Sequence, residues 1–373
     1  MKKFGKILGG IILGIVLILL AAVAILTALE YRPDQIETLN TTSGKQSIST
    51  GDSMTILTYN TGYAGLSKDE DFFMDGGSKV MPETKDLVKH NMKGIAGILN
   101  DADADVCFLQ EVDIDSKRSY HINEKAYYEK ALGVNGIFAC NFKCVYVPYP
   151  LPTIGKVESG LVTYSDYKVS EASRIALPES FKWPVKTCNL KRCMLETRIP
   201  IKGSDKELVL INFHLEAYDS GEGKIAQRKV LVKKLKEEYE KGNYVIAGGD
   251  FNQTFDGMDT YPIHDKDSWV PGKVGKEDIP EGFSYAVSDN VPTCRLLNGP
   301  YSGNYDDSQV YVLDGFIVSD NLKIDQVENI NTQFEYTDHQ PVKLNVTLNK
   351  YDEMELPSAS ISISPKFMKR ADN

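Results

Sequence analysis

Residues 244–252 read YVIAGGDFN, an apolar run that ends in two glycines and two polar residues. Consecutive β-forming and small apolar residues bounded by glycine predict a buried strand. Gly248 and Gly249 let the backbone pass close to a neighbouring strand or a ligand. Asp250 and Asn252 follow at positions i and i+2, so in an extended chain both side chains face one small site. An Asx turn accounts for Gly-Gly-Asp equally well, and both interpretations stay open at this point.

Short apolar or alternating runs recur on both sides of this strand. They cover 54–60, 106–112, 160–165, 194–201, 207–215, 310–319 and 341–348. Two longer stretches, 82–100 and 223–241, carry apolar residues on one helical face and charged residues elsewhere. That pattern predicts amphipathic helices that pack on sheets. Strands followed by covering helices indicate a layered α/β sandwich.

Groups that bind metals or move protons follow several of these strands. They are Asn60, Glu111, His214, Asp314, Asp338 and His339. A buried carboxylate such as Glu111 needs a cation or hydrogen-bond donors, and Mg²⁺ accepts one or two carboxylates. Singly, each group has an ordinary explanation. Glu111 would pair with a lysine, the Asp338-His339 dipeptide would form a surface turn, and His214 would line the core.

The order of these segments along the chain resembles the endonuclease/exonuclease/phosphatase superfamily. The series Asn, Gln-Glu, His-Leu, Gly-Asp-x-Asn, Asp-Gly-Phe and Asp-His-x-Pro extends from about Met54 to Leu348. The resemblance implies an α/β fold, a four-layer sandwich of two packed mixed β-sheets flanked by helices, with the active site at one edge. This sequence departs from the family's pattern at Gly315, where tyrosine is usual, and at Thr337, where serine is usual. Neither departure removes a reacting group.

The resemblance also implies a role for each polar residue. Hydrolysis of a P–O bond by in-line attack of water is expected, with Mg²⁺, or alternatively Mn²⁺, as cofactor. The metal group is Asn60, Glu111 and Asp338, the catalytic group is His214, Asp250, Asn252, Asp314 and His339, and Arg192 is a candidate phosphate contact. Asp250 orients or deprotonates the water, and the two histidines stabilise phosphoryl oxygens. Asp314 orients His339 through its second ring nitrogen.

The N-terminus predicts a membrane anchor. Residues 7–29 contain no charged side chain, and a helix of that length extends about 35 Å, enough to cross the hydrocarbon core. Lys2, Lys3 and Lys6 precede this run, so the positive-inside rule predicts a cytoplasmic N-terminus and an extracytoplasmic domain. A cleaved signal peptide is the alternative, although its apolar region is usually shorter.

The polar composition of the flanking segments predicts where the domain begins and ends. We expect a transmembrane anchor at 1–30, a linker at 31–53, a catalytic domain at 54–350 and a flexible tail at 351–373. Two insertions, 69–82 and 269–305, are rich in aromatic residues, glycine and aspartate, and we expect them to set specificity. The lipid bilayer and a phosphoester substrate are the predicted partners, and no protein partner is predicted.

Composition leaves the substrate open. The net charge of −10 argues against broad non-specific binding of nucleic acid, which depends on lysine and arginine. A lipid or headgroup phosphodiester suits an outward-facing, tethered enzyme best, followed by nucleic acid and then by a phosphomonoester of the inositol-phosphate type. A catalytically silent surface protein on the same fold is the alternative from another class.

Six cysteines permit disulfides outside the cytoplasm. Cys140 with Cys144, and Cys188 with Cys193, are the nearest pairs along the chain, and neither has the spacing of a zinc or redox motif. Disulfides and reduced thiols are both open for these residues. Cys107 lies within an apolar strand pattern and is expected to be a buried free thiol.

Overall fold

The computed structural model describes residues 2–41, 44–219, 221–258 and 260–350, so the predicted tail at 351–373 lies outside the described residues. The helices are α1 Lys2–Ala28, α2 Lys85–Ala102, α3 Glu124–Leu132 and α4 Glu222–Glu240. The strands are β1 Ile36–Thr38, β2 Ser53–Asn60, β3 Val106–Asp113, β4 Gly136–Val147, β5 Gly155–Ser165, β6 Glu171–Ala176, β7 Cys193–Pro200, β8 Glu207–His214, β9 Tyr244–Asp250, β10 Gln253–Phe255, β11 Gly272–Val274, β12 Phe283–Ala286, β13 Cys294–Arg295, β14 Val310–Tyr311, β15 Asp314–Ser319, β16 Leu322–Asn329 and β17 Val342–Leu348.

Two large sheets form the body of the domain. The first sheet has seven strands in the order β1-β6-β7-β8-β9-β15-β12, and the second has six in the order β16-β17-β2-β3-β5-β4. The pairs β8–β9 and β2–β3 are parallel, and each lies among antiparallel neighbours. Both sheets are therefore mixed, as the family resemblance implies.

The main core lies between the two sheets. Ile56 and Phe108 of the second sheet share one buried cluster with Leu195, Leu210 and Ile246 of the first. Alternate residues of each strand face this layer because successive side chains in a strand point to opposite faces. Their removal from water is the main favourable contribution to folding, about 25 cal/mol per Å² of apolar surface.

Helices cover the outer face of each sheet. Leu231 and Leu235 of α4 pack on the first sheet. Val88 and Met92 of α2, with Tyr128 of α3, pack on the second. The order helix, sheet, sheet, helix confirms the predicted four-layer α/β sandwich.

Several strands end at one edge of the sandwich. Asn60, the last residue of β2, lies opposite Gln110 of β3. His214, the last residue of β8, lies opposite Asp250, the last residue of β9. Asp314 begins β15 and also lies opposite Asp250. We call the edge that carries these five residues the polar edge.

Some elements differ from the pattern in the sequence. The predicted strand at 310–319 is divided into β14 and β15, because Leu313 leaves the ladder: its N–H donates to Thr293 Oγ1 at 2.8 Å and its carbonyl accepts from Phe251 at 3.0 Å. Helix α3 and strands β4 and β6 had no counterpart among the predicted elements.

The N-terminal segment has two parts. Residues Lys3–Ala28 are long and apolar enough to span a membrane by length and composition. Within the segment interpreted as a linker, β1 pairs with β6, and Ile36 lies opposite Ile175. Ile48 is buried in the core between the sheets. Part of 31–53 is therefore incorporated into the sandwich.

All six cysteines lie within the described residues and all are free thiols. Cys107 is buried, as predicted. The thiols of Cys144 and Cys188 are hydrogen-bonded to each other, and Cys193 Sγ lies 3.9 Å from the carbonyl oxygen of Cys140. The closest cysteines thus come from different elements, not from the pairs nearest in sequence.

Candidate active site

Asn60 connects the two sheets at the polar edge. Its side-chain amide donates to Glu111 Oε1 at 3.1 Å and to Asp250 Oδ2 at 3.1 Å. Its oxygen accepts from the backbone N–H of Gly62 at 3.0 Å, which fixes the orientation of the amide. Asn60 is 1% exposed. Carboxylates that are separated widely in sequence are therefore held together by one buried side chain.

Glu111 reaches this position through an irregularity in β3. The pairing of β3 with β5 shifts register between Leu109 and Val112. Glu111 has φ 54°, in the left-handed region that residues other than glycine rarely adopt. β-Bulges next to active sites re-aim side chains, and backbone strain of this kind clusters at functional sites. The bulge directs the half-buried Glu111 carboxylate towards Asn60.

Asp250 is fixed by its own strand end. Its Oδ1 accepts from the backbone N–H of Asn252 at 2.8 Å, and the Asn252 amide donates to the carbonyl of Leu215 at 2.9 Å. Gly249 has φ 154°, and a Cβ there would lie 1.9 Å from the carbonyl oxygen of Phe213. The glycine therefore allows the close approach of β8 and β9 that places Asp250 beside His214.

His339 and Asp314 form a buried pair. His339 Nδ1 lies 2.8 Å from Asp314 Oδ2, and its Nε2 lies 3.6 Å from Asp250 Oδ2. Burial alone would lower the pKa of His339, but the Asp314 carboxylate, with Cys294 and Asp250 nearby, raises it well above its usual value. The Asp314 carboxylate therefore favours the protonated ring and fixes its orientation.

The pKa of His214 is shifted in the opposite direction to that of His339. Its Nε2 lies 3.4 Å from Asp250 Oδ2, and its Nδ1 has no hydrogen-bond partner within the described part of the chain. Burial, Arg192 and His339 together lower the pKa of His214 well below its usual value. A neutral imidazole has one N–H and one bare nitrogen, so an unpartnered Nδ1 costs less in this state than in the cation, where both nitrogens donate.

Asp338 and Glu111 suit a divalent cation. Burial raises the pKa of Asp338 to about 7 against the opposing charge of His339, and the Glu111 carboxylate adds to this rise. Asp338 Oδ1 accepts from Thr337 Oγ1 at 3.1 Å. Ligand atoms of Asp338, His339 and Cys294 lie within 4.8 Å of one another. The Glu111 and Asp338 carboxylates supply oxygen ligands of the kind that bind divalent cations, so with the neighbouring acidic and histidine cluster they form a candidate metal site.

Arg192 is the one predicted residue that does not join this group. Its Nε lies 3.3 Å from Glu216 Oε2, and its Nη1 donates to the carbonyl oxygen of His214 at 3.1 Å. The guanidinium is buried and directed to the protein itself. The structure places Arg192 as a support for the backbone at His214, not as an open phosphate contact.

Other residues near the site were not singled out from the sequence. Asp75 accepts a hydrogen bond from the Tyr218 hydroxyl at 2.8 Å, and the Tyr218 ring lies 6.3 Å from that of Trp269. Burial raises the pKa of Asp75, and Glu111 contributes to this rise, which places the acid near the metal group. The predicted insertions 69–82 and 269–305 contain Asp75 and Trp269, whereas nothing in the sequence marked Tyr218.

Comparisons with known proteins agree with this architecture. A comparison with curated proteins finds none that matches the chain in sequence. Among solved structures, the chain is similar to an endonuclease/exonuclease/phosphatase from Beutenbergia cavernae, with 17% identity, coverage of 80% of this chain and 72% of that one, and a TM-score of 0.55. It is also similar to an endonuclease/exonuclease/phosphatase from Bacteroides vulgatus, with 16% identity, coverage of 80% and 100%, and a TM-score of 0.52. These likenesses support the fold.

The family model of the Endonuclease/Exonuclease/phosphatase family matches residues 57–339. That range contains every residue of the predicted site, from Asn60 to His339. The chain therefore belongs to the endonuclease/exonuclease/phosphatase family, whose members are hydrolases that act on phosphoester bonds and generally use divalent metals.

Proposed function

We propose that this protein is a metal-dependent phosphoesterase that hydrolyses a P–O bond, most favourably in a phosphodiester, on the outer face of a membrane. The observation that carries the proposal is the position of Asp250. Its Oδ2 lies 3.4 Å from His214 Nε2 and 3.6 Å from His339 Nε2. The Asn60 amide joins the same carboxylate to Glu111. The residues proposed as base, phosphoryl contacts and metal ligand thus lie close together.

Each residue has a role in this mechanism. Burial raises the pKa of Asp250 against the opposing charge of His339, which makes the carboxylate a stronger base towards water. The His339 cation and the His214 N–H stabilise charge on the phosphoryl oxygens. Glu111 and Asp338, with Asn60 beside them, would hold Mg²⁺ or alternatively Mn²⁺, which when bound neutralises charge developing on the phosphoryl and leaving oxygens.

The test is hydrolysis of bis-(p-nitrophenyl) phosphate with Mg²⁺ by the Asp250→Ala protein. General bases contribute roughly 10²–10⁴-fold, so we expect turnover to fall by that factor. Asp205→Ala is the matched control, because this carboxylate is 84% exposed and pairs with Lys206 in a surface turn. Circular dichroism would verify that both variants fold. Full turnover by folded Asp250→Ala protein would contradict the assignment.

Location and charge favour a lipid or headgroup phosphodiester as substrate. Helix α1 meets the length and composition of a membrane span, and Lys3 and Lys6 at its start support a cytoplasmic N-terminus. We therefore propose residues 1–30 as an uncleaved anchor and 54–350 as an extracytoplasmic catalytic domain. Parallel assays with sphingomyelin, DNA and inositol phosphates would rank the three substrate classes. Preference for DNA or inositol phosphates would overturn the lipid proposal.

A further inference from the structure

An uncharged, exposed stretch lies at the turn between β4 and β5. Residues 145–152 read VYVPYPLP. Leu151 is 87% exposed and Tyr149 is 69% exposed, and Val145 and Tyr146 are each about half exposed. Soluble surfaces rarely expose contiguous apolar side chains, and such patches commonly contact a protein or a membrane.

The stretch contacts the segment that carries Asp75. The Tyr149 ring lies 5.9 Å from the ring of Phe73. Phe73 begins the short helical turn Phe73–Asp75, and Asp75 is bonded to Tyr218 beside the metal group. The ring contact between Tyr149 and Phe73 thus connects the β4–β5 turn to the segment that carries Asp75.

The same stretch is connected to the end of the anchor helix. Cys188 Sγ lies 3.7 Å from the carbonyl oxygen of Tyr146. The short turn Val185–Cys188 leads back to Trp183, whose indole N–H donates to Thr27 Oγ1 at 3.1 Å in the last turn of α1. Trp183 and Val185 are both more than half exposed. Tryptophan and tyrosine at the end of a membrane span prefer the bilayer interface.

Strand register places the anchor at the polar edge. Ile36 pairs with Ile175 in β6, and the next residue, Ala176, pairs with Cys193 at the start of β7. Met194 in turn pairs with Phe213, which immediately precedes His214. The chain therefore leaves α1 and enters the first sheet at the end of the sandwich that carries His214.

The second sheet extends beyond this same end. Asp113, just past the bulge at Glu111, pairs with Ser159 in β5. The β4–β5 pairing continues from there to Val147 opposite Gly155. The apolar turn between these strands consequently projects outward from the polar edge, on the side where α1 ends.

We propose that residues 145–152, with Trp183 and Val185, form a docking face that lies in the interface of the bilayer crossed by α1. This face turns the polar edge towards the membrane and presents the active site to the phosphoester of a lipid. Cationic side chains at the same end, with exposed Lys182 next to Trp183, suit the headgroup region. The part that concerns the lipid substrate rests on the proposed function, whereas the docking face does not.

Fluorescence of a single tryptophan tests the docking face. The chain has two tryptophans, so the double variant Trp183→Phe, Trp269→Phe has no tryptophan fluorescence. Into the full chain with this background we would introduce Leu151→Trp or, as the matched control, Lys202→Trp. Lys202 is exposed in the turn that joins β7 to β8, at the end of the sandwich opposite His214. Each protein is reconstituted in phosphatidylcholine vesicles with or without brominated acyl chains.

We expect brominated lipid to quench the Leu151→Trp protein and to leave the Lys202→Trp protein unchanged. Absence of quenching in Leu151→Trp would overturn the proposal, and so would equal quenching of both proteins. Concentration-dependent self-association with no effect of brominated lipid would assign the face to a second copy of the chain instead. None of these readouts requires activity.

Activity tests presentation of the substrate separately. Leu151→Ser should lower turnover of a phosphodiester lipid in vesicles by about tenfold, because apolar burial at the interface is lost. Turnover of soluble bis-(p-nitrophenyl) phosphate should stay unchanged, since Leu151 is exposed and is not one of the residues of the candidate site, and Lys202→Ser should change neither. Loss of both activities, or of neither, would overturn lipid presentation. Absence of hydrolysis by the unsubstituted protein would instead count against the proposed function.

Discussion

His214 and His339 lie within 3.6 Å of the same Asp250 oxygen, but their surroundings shift their pKa values in opposite directions. The Asp314 carboxylate stabilises the cation of His339, whereas burial beside Arg192 keeps His214 neutral. One ring can therefore supply charge and the other a neutral N–H donor to the same phosphoryl group. The difference in pKa depends on the groups beside each ring, Asp314 for His339 and Arg192 for His214. Substitution of such a group therefore tests the difference.

Asp314→Asn should lower the pKa of His339. The asparagine keeps the size of the side chain but removes the carboxylate 2.8 Å from Nδ1, so the imidazolium loses its main stabilisation. We expect turnover to fall by about 10²–10⁴-fold, the range that misoriented or neutralised catalytic histidines show. NMR titration of the His339 ring should show a lowered pKa.

The matched control for this variant is Asp325→Asn. Asp325 accepts from Lys323 and lies in β16, away from the polar edge. It should leave turnover and the histidine titration unchanged. An Asp314→Asn protein with an unshifted His339 pKa would contradict the role given to Asp314.

Glu111→Gln should weaken metal binding. A neutral amide cannot replace the carboxylate as a ligand of a hard cation, although the hydrogen bond with Asn60 can re-form. We expect the apparent Kd for Mg²⁺ or Mn²⁺ to rise by at least about tenfold, measured by calorimetry with the metal alone. Glu158→Gln is the control, because that side chain pairs with Lys143 on the surface of β5. Unchanged affinity in Glu111→Gln would remove Glu111 from the metal group.

The sequence predicted which side chains gather at the polar edge better than it predicted the residues around them. Asn60, Glu111 and Asp250 could be found because each directly ends an apolar strand, and that placement is visible locally. Tyr218 could not be found, since it lies after β8 in a loop and gains significance only through Asp75, 143 residues away in sequence. The residue type of Arg192 suggests a phosphate contact, whereas its contacts with Glu216 and a carbonyl oxygen could not be predicted from the sequence.

At the scale of elements, the glycine at the end of β9 should be indispensable. Gly249→Ala would place a Cβ against the Phe213 carbonyl oxygen and force φ 154° on a residue that avoids it. We expect a loss of about 2–4 kcal/mol in the free energy of unfolding, measured by urea denaturation. Gly97→Ala in α2 is the control, because open space surrounds that position. It should stabilise the helix by up to about 1 kcal/mol. Equal effects of the two would contradict the close approach of β8 and β9.

The buried end of α4 should make stability depend on pH. Glu238 lies 2.7 Å from Arg198, 2.8 Å from Lys241 and 2.9 Å from Lys234. Burial alone would raise the pKa of Glu238, but hydrogen bonds from these cations lower it below its usual value. Its folded-state pKa is thus below the unfolded one, so its stabilisation is present above the unfolded pKa and lost as pH falls towards the folded pKa.

Glu238→Gln should therefore destabilise the protein by about 2–3 kcal/mol at pH 7, as expected for a lost buried charged hydrogen-bond network. The difference from the unsubstituted protein should shrink as pH decreases below about 4.3, the usual glutamate pKa. Thermal unfolding across this range measures the effect. Glu237→Gln, at a 48% exposed position of the same helix, should change stability little at any pH. A difference that grows as pH falls would contradict the assigned shift.

The elements missed from the sequence share a physical feature. The pairing of strand β4 shifts register after Cys140 and again after Cys144. The two-residue alternation of apolar and polar side chains that marks a strand is therefore interrupted in its sequence. Helix α3 has nine residues, too few for apolar periodicity to show. In contrast, β9 is buried on both faces and its uninterrupted apolar run is visible directly. The sequence thus predicts central elements from burial, while edge elements depend on contacts made only after folding.

At the scale of the whole molecule, the end of helix α1 and the candidate active site lie at one end of the sandwich. Part of the segment that follows α1 pairs with β6, and Glu30 is bonded to Lys191 at 2.8 Å, next to the residue that supports His214. A freely jointed tether would leave the orientation of the domain undefined. Incorporation of this segment into the first sheet instead restricts the directions in which the polar edge can face.

Topology can be tested with the lysines already present in the chain. An amine reagent that does not cross membranes is applied to intact cells that express the full chain, and modified peptides are identified by mass spectrometry. Because positive charges before the span stay in the cytoplasm, we expect modification of Lys236, which is 65% exposed in the domain, and none of Lys3 or Lys6.

Permeabilised cells provide the control, since all three lysines should then react. Recovery of the peptide that contains Lys6 in the membrane fraction also distinguishes an uncleaved anchor from a signal peptide, which would be removed. Modification of Lys236 only after permeabilisation would place the domain in the cytoplasm. In that case the polar edge would face the inner leaflet, and the outer-face substrate would have to be abandoned even if the catalytic assignment of Asp250 holds.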